Sequence, residues 1–332
     1  MKRRLAFSLA VLAVCLLSTA AWCAPPPLRL VQRIPLPGVE GRIDHMAADA
    51  ARQRLFVAAL GNDTLEVIDL RAGRRLRTLA GLKEPQGIAF VPETNRLFVA
   101  NGRDGTCAIF HGDTFDLLHT AKFSSDADNV RYDAAARRIY VGYGEGALGI
   151  LDAVNGRHLG DIRLGGHPES FRLETSGPRI FVNVPTTGRV AVVNRATGAA
   201  VAFWSLAGAR SNFPMALDEA NHRLFVGCRN PAKVLVYNTQ TGQVVATLDI
   251  GGDTDDLFYD AVRKRLYVSC GAGFLDVFAQ RSANQYESLA IIRTAIGART
   301  SLFVPELGRL YLAVPHRGRL QQAEIRVYAA QP

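Results

Sequence analysis

Side chains that could bind a polar ligand or a metal ion occur at fixed distances before an arginine that recurs seven times along the chain. Four of the seven residues ten positions before this arginine are carboxylates, and histidine and amide residues lie beside them. Such oxygen and nitrogen atoms hold divalent cations and small polar molecules. The pattern predicts a polar ligand site, for which a divalent metal ion is a candidate cofactor. The predicted site residues are Asp44, His45, Asp128, Asn129, His167, Glu169, Arg210, Asn212, Asp255, Asp256 and Arg299.

The same residues have a second interpretation, in which they serve the fold alone. Aspartates at the start of a strand often accept hydrogen bonds from turn amides, and nearby arginines can neutralise them. Against this, the residues at these positions differ from copy to copy, which is typical of a pocket for an asymmetric ligand. The sequence leaves both interpretations open. Carboxylates crowded into one pocket would also raise one another's pKa unless a cation lies between them.

The recurring arginine begins a short apolar segment, such as "RLFVAA" at 54–59, followed by a turn. Successive copies are 42, 42, 41, 44, 42 and 44 residues apart and start at Arg54, Arg96, Arg138, Arg179, Arg223, Arg265 and Arg309. A period of about 40 to 45 residues made of short strands and glycine turns is typical of one propeller blade. The sequence therefore predicts an all-β, seven-bladed β-propeller with four-stranded antiparallel blades, formed as a single domain by residues 24–332.

The two ends of the predicted propeller complement each other. The seventh copy ends after its third strand, whereas residues 28–36 form a strand that belongs to no copy. We expect this N-terminal strand to close the ring as the outer strand of the last blade. In such a ring the loops before the first strands meet at one end of the central channel. The candidate site residues should therefore gather at the channel mouth.

Three segments, "RLFVANG" at 96–102, "RIYVGYG" at 138–144 and "RLYVSCG" at 265–271, resemble the repeats of the bacterial YVTN-type, YncE-like β-propeller family. The resemblance extends over essentially the whole of residues 24–332. It implies a seven-bladed propeller and an exported protein. Because this family contains binding proteins and a few enzymes, the resemblance leaves the activity open.

Several enzyme classes are disfavoured by the residues. The chain has no C-x-x-C-H motif for covalent haem, and after residue 23 it has one tryptophan, unlike the tryptophan-rich quinone-dependent propeller dehydrogenases. Its glycine-rich stretches, 101–106 and 142–149, connect strands and precede no helix that could bind phosphate. A metal-dependent hydrolase, lactonase or lyase that uses the channel mouth remains the enzyme alternative, by analogy of fold and without a metal-binding motif of fixed spacing.

Residues 1–23 have the pattern of a secretory signal peptide. Lys2, Arg3 and Arg4 precede an apolar run that ends in small residues, and cleavage is expected before Ala24. Trp22 occupies the position where a lipid-attachment motif needs a small residue, so we expect no lipidation. No later apolar run is long enough to span a bilayer. The predicted location is the periplasm or the exterior of the cell.

The cysteines after residue 23 do not define a disulfide framework. They are three in number, Cys107, Cys228 and Cys270, and the last two occupy equivalent positions in neighbouring copies. We expect buried apolar side chains, since cysteine is often simply buried. A bridge between Cys228 and Cys270 is the alternative.

The positive charge has a structural interpretation. The formal net charge is +9, and removal of Lys2, Arg3 and Arg4 with the signal peptide leaves +6. Five of the recurring arginines follow an acid by five residues, and we expect ion pairs with Asp49, Asp133, Glu174, Asp218 and Asp260. Nucleic acid is therefore not an expected partner, and polyanion binding through a basic surface is a minor alternative. We predict a monomer whose acidic channel mouth binds a small polar or cationic ligand, or a loop of a protein partner, without catalysis.

Overall fold

The computed structural model describes residues 25–332, so the predicted signal peptide, residues 1–23, lies outside the described residues. Within this range the chain forms 28 β-strands and three short 3₁₀ helices, Leu60–Asn62, Pro185–Thr187 and Pro305–Leu307. None of the helices in this range has the length and apolar composition that a membrane crossing requires. The strands form seven four-stranded sheets with antiparallel neighbours, which confirms the predicted all-β propeller.

The blades follow the chain, with four consecutive strands in each of the first six. Blade 1 contains β2 (Met46–Asp49), β3 (Arg54–Ala59), β4 (Thr64–Asp69) and β5 (Arg74–Ala80). Blade 2 contains β6 (Pro85–Val91), β7 (Arg96–Asn101), β8 (Thr106–His111) and β9 (Leu117–Lys122). Blade 3 contains β10 (Ala127–Asp133), β11 (Arg138–Tyr143), β12 (Ala147–Asp152) and β13 (His158–Arg163). Blade 4 contains β14 (Phe171–Leu173), β15 (Arg179–Val184), β16 (Arg189–Asn194) and β17 (Ala199–Ser205).

The remaining strands complete the ring. Blade 5 contains β18 (Arg210–Asp218), β19 (Arg223–Asn230), β20 (Ala232–Asn238) and β21 (Val244–Asp249). Blade 6 contains β22 (Thr254–Asp260), β23 (Arg265–Cys270), β24 (Phe274–Ser282) and β25 (Gln285–Arg293). Blade 7 contains β26 (Ser301–Val304), β27 (Arg309–Val314), β28 (Glu324–Ala330) and, from the other end of the chain, β1 (Leu28–Pro35).

The second strand of each blade forms the core. Two residues after every recurring arginine lies an aromatic side chain with at most 3% of its surface exposed, namely Phe56, Phe98, Tyr140, Phe181, Phe225, Tyr267 and Tyr311. The apolar clusters take their members from neighbouring blades; Val57 of blade 1, for example, packs in one cluster with Tyr311 and Ile325 of blade 7. Each repeat therefore buries its faces against the next repeat, as stacked repeats require.

The N-terminal strand closes the ring, as the sequence predicts. β1 pairs antiparallel with β28, from Leu28 opposite Ala330 to Pro35 opposite Glu324. Ile34 is fully buried among side chains of blades 1 and 7. The strand thus contributes both main-chain hydrogen bonds and apolar packing to the last blade.

The predicted pairing of the recurring arginines with acids is wrong for three of five copies. Arg54 contacts Asp49 at 2.7 Å and Arg179 contacts Glu174 at 2.6 Å. In blades 3, 5 and 6 the aspartate instead accepts a hydrogen bond from a main-chain amide in the turn between the first two strands, at 3.1 to 3.2 Å, with no salt bridge to the recurring arginine among residues 25–332. Asp133 and Asp260 form salt bridges with Arg195 and Arg263 instead, so a different arginine takes the place of the recurring one in blades 3 and 6.

Four recurring arginines tie one blade to the next. Each donates a hydrogen bond, at 2.5 to 3.0 Å, to a carbonyl that follows the third strand of the next blade: Arg54 to Gly112, Arg179 to Thr239, Arg223 to Ala283 and Arg265 to Gln331. These bonds fix the outer part of one sheet against its neighbour. The arginine is therefore part of the repeated interface between blades.

The three cysteines after residue 23 are free and buried. Burial raises the pKa of the Cys107 and Cys228 thiols to about 12, because it disfavours the charged thiolate. They pack as small apolar side chains, and the alternative of a bridge between Cys228 and Cys270 does not describe this structure.

Ring closure can be tested on β1. Ile34→Ala should lower the free energy of unfolding by about 3 kcal/mol, because it removes apolar volume from a fully buried position. Val31→Ala, at a position of the same strand that is 39% exposed, is the control and should cost less than about 0.5 kcal/mol. Urea unfolding of both variants measures the difference. Equal effects would contradict closure by this strand.

Candidate functional site

The channel mouth is formed where the first strands of the blades begin. Asp44 and His45 directly precede β2, and Asp128 and Asp255 lie at the start of β10 and β22. The register of β10 shifts across Asp128 and that of β22 shifts across Asp255, so each of these strands carries a β-bulge there. A bulge interrupts the alternation of side chains and can re-aim one of them. The bulges thus lie at the positions that the repeat marks as variable.

A cavity of about 150 Å³ occupies the mouth. It is lined by six of the predicted site residues, namely His45, Asp128, His167, Glu169, Asp255 and Arg299, and by Arg42, Gln86, Asp126, Phe213 and Arg229. The structure therefore brings together residues from blades that are distant in sequence.

Three further predicted residues lie beside this cavity. Asp44 is buried, and its carboxylate is 2.8 Å from the guanidinium of Arg42. The amide nitrogen of Asn129 is 3.4 Å from His45 Nε2, and Asp256 Oδ2 is 3.4 Å from His45 Nδ1. The carboxylates of Asp44 and Asp256 thus lie on either side of His45, at 3.7 and 3.4 Å from its ring nitrogens.

Two predicted residues lie apart from the cavity lining. Asn212 is buried and donates hydrogen bonds to Asn183 Oδ1 at 2.9 Å and to the carbonyl of Arg189 at 3.0 Å. Arg210 is an exposed residue at the start of β18. Asn212 therefore holds neighbouring strands together, as an asparagine in a fold-serving role would.

Five residues of the cavity are missing from the predicted site. Gln86 and Phe213 lie ten residues before a recurring arginine, and Arg42 and Asp126 lie twelve residues before one. They are therefore equivalent to predicted site residues of other copies, such as Asp128 and His167. Arg229 lies six residues after Arg223, on the other side of the recurring arginine from the predicted site residues. It is the one charged residue at this position of the repeat, because the other copies have Leu60, Gly102, Gly144, Pro185, Gly271 and Pro315 there.

One side of the mouth is already neutralised by arginines. Arg229 Nη2 donates to Asp255 Oδ1 at 2.6 Å, and Arg299 Nε lies 3.0 Å from Asp255 Oδ2. Arg299 Nη1 also donates to Asp253 at 2.8 Å. The guanidinium of Arg229 lies 3.7 Å from the ring centroid of Phe213, a cation–π contact. The expected acidic character is thus confined to the opposite side of the mouth.

The opposite side carries carboxylates without cationic partners of this kind. Asp128, His167 and Glu169 each place one potential ligand atom within 4.8 Å of the others. His167 Nδ1 is 2.6 Å from the carbonyl of Gly144, and Nε2 lies 4.0 Å from Asp128 Oδ2. Among residues 25–332 the carboxylate of Glu169 has no hydrogen bond and no salt bridge. These three residues are called the Asp–His–Glu cluster below.

The ionisation of the Asp–His–Glu cluster reflects this crowding. Burial raises the pKa of Glu169 well above its usual value, and the negative charges of Asp128 and Asp255 raise it further. Burial acts to lower the pKa of His167, but Asp128 and the Gly144 carbonyl outweigh it and raise the value to about 9. Both groups therefore favour protonation, which is the state expected of a site that would exchange protons for a cation.

His45 lies between two buried carboxylates. Burial alone would lower the pKa of His45, but Asp256 and Asp44 outweigh it and raise the value to about 10. Burial also raises the pKa of Asp44 to about 6, in spite of the charges of His45 and Arg42. The protonated imidazole and Asp256 thus form an ion pair just inside the mouth.

Seven four-stranded blades around a channel define the protein as a seven-bladed β-propeller. Three solved structures are similar to the whole chain or most of it. A chain of the mitotic checkpoint complex has a TM-score of 0.76 and 14% identity over 100% of this chain and 99% of that chain. The RRP9 WD40 repeats have a TM-score of 0.78 and 10% identity over 92% of this chain and 99% of that chain. Hydrazine synthase from Kuenenia stuttgartiensis has a TM-score of 0.72 and 14% identity over 84% of this chain and 95% of that chain.

At such low sequence identity these structures establish the fold alone. No protein-family model matches the chain. No curated protein matches its sequence either. The resemblance to the YVTN-type family therefore stays a prediction, and the function has to be inferred from the site.

The charge of His45 should be visible in the pH dependence of stability. Because folding raises its pKa to about 10, its contribution should be complete below about pH 6.5 and should be lost as the pH rises through about 10. His45→Gln should therefore cost about 3 kcal/mol at pH 6, an order-of-magnitude value for one lost member of a buried ion pair, and much less above pH 10. Urea unfolding at a series of pH values measures this difference.

The matched control is His158→Gln, which removes a histidine that is 37% exposed and 2.9 Å from Asp161. An exposed pair of this kind contributes about 0 to 1 kcal/mol, so its curve should follow that of the unmodified protein. A constant cost of His45→Gln across the whole pH range would contradict a charged imidazole at position 45.

Proposed function

We propose that the protein is an exported β-propeller that binds a small cationic ligand at the channel mouth through its Asp–His–Glu cluster. The observation that carries this proposal is the carboxylate of Glu169, which faces the mouth cavity without a hydrogen bond or salt bridge from residues 25–332. A carboxylate in that position gains most from a ligand that brings positive charge.

The distribution of charge favours a cation over an anion at this site. Arg42, Arg229 and Arg299 are engaged by carboxylates at 2.6 to 3.0 Å, so they have little capacity left for an anionic ligand. Asp128 and Glu169, by contrast, face each other across His167. A cation between them would relieve the repulsion that contributes to the raised pKa of Glu169.

The size of the cavity limits the ligand. With a volume of about 150 Å³, it is well below the roughly 300 to 1,000 Å³ of pockets that bind drug-sized molecules. That space suits a hydrated divalent cation or a small ammonium compound. A loop of a protein partner would have to bind across the mouth, with one basic side chain reaching the Asp–His–Glu cluster.

A metal-dependent hydrolase or lyase is the second candidate function, and it is supported by the donor set. Two carboxylates and one imidazole are ligands that suit Zn²⁺ or Mn²⁺, and three protein ligands leave coordination positions for water or substrate. A bound ion would supply Lewis acidity there. Asp128, His167 and Glu169 would hold it.

The cation site can be tested by calorimetry on the mature protein after treatment with a chelator. Zn²⁺, Mn²⁺ and methylammonium are titrated separately, and at least one should bind. Asp128→Asn and Glu169→Gln should each weaken that binding about tenfold or more, because each removes a charged ligand. Asp113→Asn, which alters a carboxylate that is 47% exposed and lies outside the channel, is the control. Absence of binding by all three probes would overturn the proposal.

The pH dependence separates the two kinds of cation. A metal ion needs the neutral imidazole of His167, so its affinity should increase as the pH rises toward about 9. Methylammonium can bind the carboxylates while His167 keeps its proton, so its affinity should respond to Glu169 and much less to His167. Hydrolysis of a lactone or ester panel by the metal-loaded protein, abolished in Asp128→Asn, would favour the enzyme candidate over simple binding.

Export is tested by fractionation of bacterial cells that produce the full chain. The expected product is a periplasmic or secreted protein whose first residue is Ala24. The control replaces Leu16 and Leu17 of the apolar run by arginine, which should leave an uncleaved protein inside the cell. An uncleaved cytoplasmic product from the unmodified chain would contradict export.

A further inference from the structure

A second cavity, of about 500 Å³, lies further along the channel and is called the channel chamber below. It shares His45 with the mouth cavity, and most of its walls come from the first strands of the blades. The residue seven positions before the recurring arginine lines this chamber in every blade. In five blades that residue is apolar, namely Ala47, Ala89, Ala216, Phe258 or Leu302. In the adjacent blades 3 and 4 it is Arg131 and Arg172. Two neighbouring blades therefore depart from the apolar pattern in the same way.

Arg131 is only partly satisfied by the protein. Its guanidinium donates to the carbonyl of Val130 at 2.8 Å, to Asn129 Oδ1 at 3.0 Å and to Ser170 Oγ at 3.5 Å. Its Nε is buried without a hydrogen-bond partner. Within residues 25–332 the side chain makes no salt bridge with a carboxylate. Its positive charge is therefore held by uncharged oxygens and by the ring of Phe171, 5.6 Å away.

Arg172 has still fewer contacts. In the part of the chain that the structure describes, its guanidinium makes no hydrogen bond and no salt bridge; it lies 5.9 Å from the ring centroid of Phe258. Burial lowers the pKa of Arg172 to about 9, and the like charge of Arg131 lowers it further. Arg172 is half-buried and lines the channel chamber without a charged partner among residues 25–332, so a bound anion would stabilise this arrangement.

The carboxylates that line the channel chamber do not supply that anion. Asp256 Oδ2 accepts a hydrogen bond from the main-chain amide of Ser301 at 2.8 Å and lies 3.4 Å from protonated His45. Glu219 accepts four hydrogen bonds, from the main-chain amides and hydroxyls of Thr175 and Ser176, at 2.7 to 3.1 Å. Both acids are thus engaged elsewhere, and the two arginines remain available.

We infer that the channel chamber is a binding site for a small organic carboxylate with an apolar body, held by Arg131 and Arg172. The planar guanidinium groups match the geometry of a carboxylate, which can accept two parallel hydrogen bonds from one arginine. The apolar body would pack against Phe258, Leu302 and the three alanines of the wall. This site uses none of the three residues of the Asp–His–Glu cluster, although Asn129 contacts both Arg131 and Asp128.

Benzoate and hexanoate are suitable probes, with inorganic phosphate as an anion that lacks an apolar body. Binding to the mature protein is measured by calorimetry, and the melting temperature is measured with and without each probe. We expect benzoate or hexanoate to bind and to raise the melting temperature, since a ligand that binds the folded state stabilises it. Absence of binding by both carboxylates would overturn the inference. Phosphate binding as tight as theirs would overturn the role of the apolar wall.

The Arg172→Met variant tests whether Arg172 binds the carboxylate group of the ligand. It keeps most of the side-chain volume and removes a charge that faces Arg131, so the free protein should melt at the same temperature or higher, while carboxylate affinity falls about tenfold or more. Arg210→Met, at an exposed arginine outside the channel, should bind like the unmodified protein. Unchanged carboxylate affinity in Arg172→Met would contradict the assignment.

Discussion

Burial of each blade against both of its neighbours is the interaction on which the rest of the structure depends. All six residues of β3 are buried, which one sheet could not achieve with a face open to water. The ring satisfies this requirement for every blade, and β1 supplies the strand that the last blade lacks. Hydrogen bonds from Arg54, Arg179 and two equivalent arginines then fix the outer turns of adjacent blades to one another.

Because the ring is closed, equivalent residues of the seven blades lie at the same depth of the channel and form a layer. Residues ten positions before the recurring arginine meet at the mouth, and residues seven positions before it meet in the channel chamber. Within each layer the seven copies are related by the symmetry of the fold, so a pocket for an asymmetric ligand arises where the copies differ. Blades 3 and 4 contribute to both proposed sites, with Asp128 and Glu169 in the first layer and Arg131 and Arg172 in the second.

The fold was predictable from the sequence because a period of 41 to 44 residues made of short strands is compatible with few architectures. The seventh copy lacks its outer strand, which indicated that residues 28–36 supply it. The site was predictable only in part. His45, Asp128 and Glu169 lie on segments whose place the repeat fixes, whereas Arg229 reaches the mouth from an extended second strand. The salt bridges of Asp133 with Arg195 and of Asp260 with Arg263 were missed because a spacing of five residues shows which arginine could pair with an acid, and the fold brings another arginine closer.

The two proposed sites use side chains of opposite type, acidic residues at the mouth and arginines in the channel chamber, and the ion pair of His45 with Asp256 lies between them. Charges of one sign held away from bulk water destabilise a fold unless they are paired, and the other five blades have apolar residues at the positions of Arg131 and Arg172. The same reasoning applies to Glu169, whose carboxylate could have been paired by an arginine as Asp255 is. The large apolar contact between blades supplies the stability that tolerates these exceptions. Because they cluster along one channel, the exceptions are best explained as groups that face ligands.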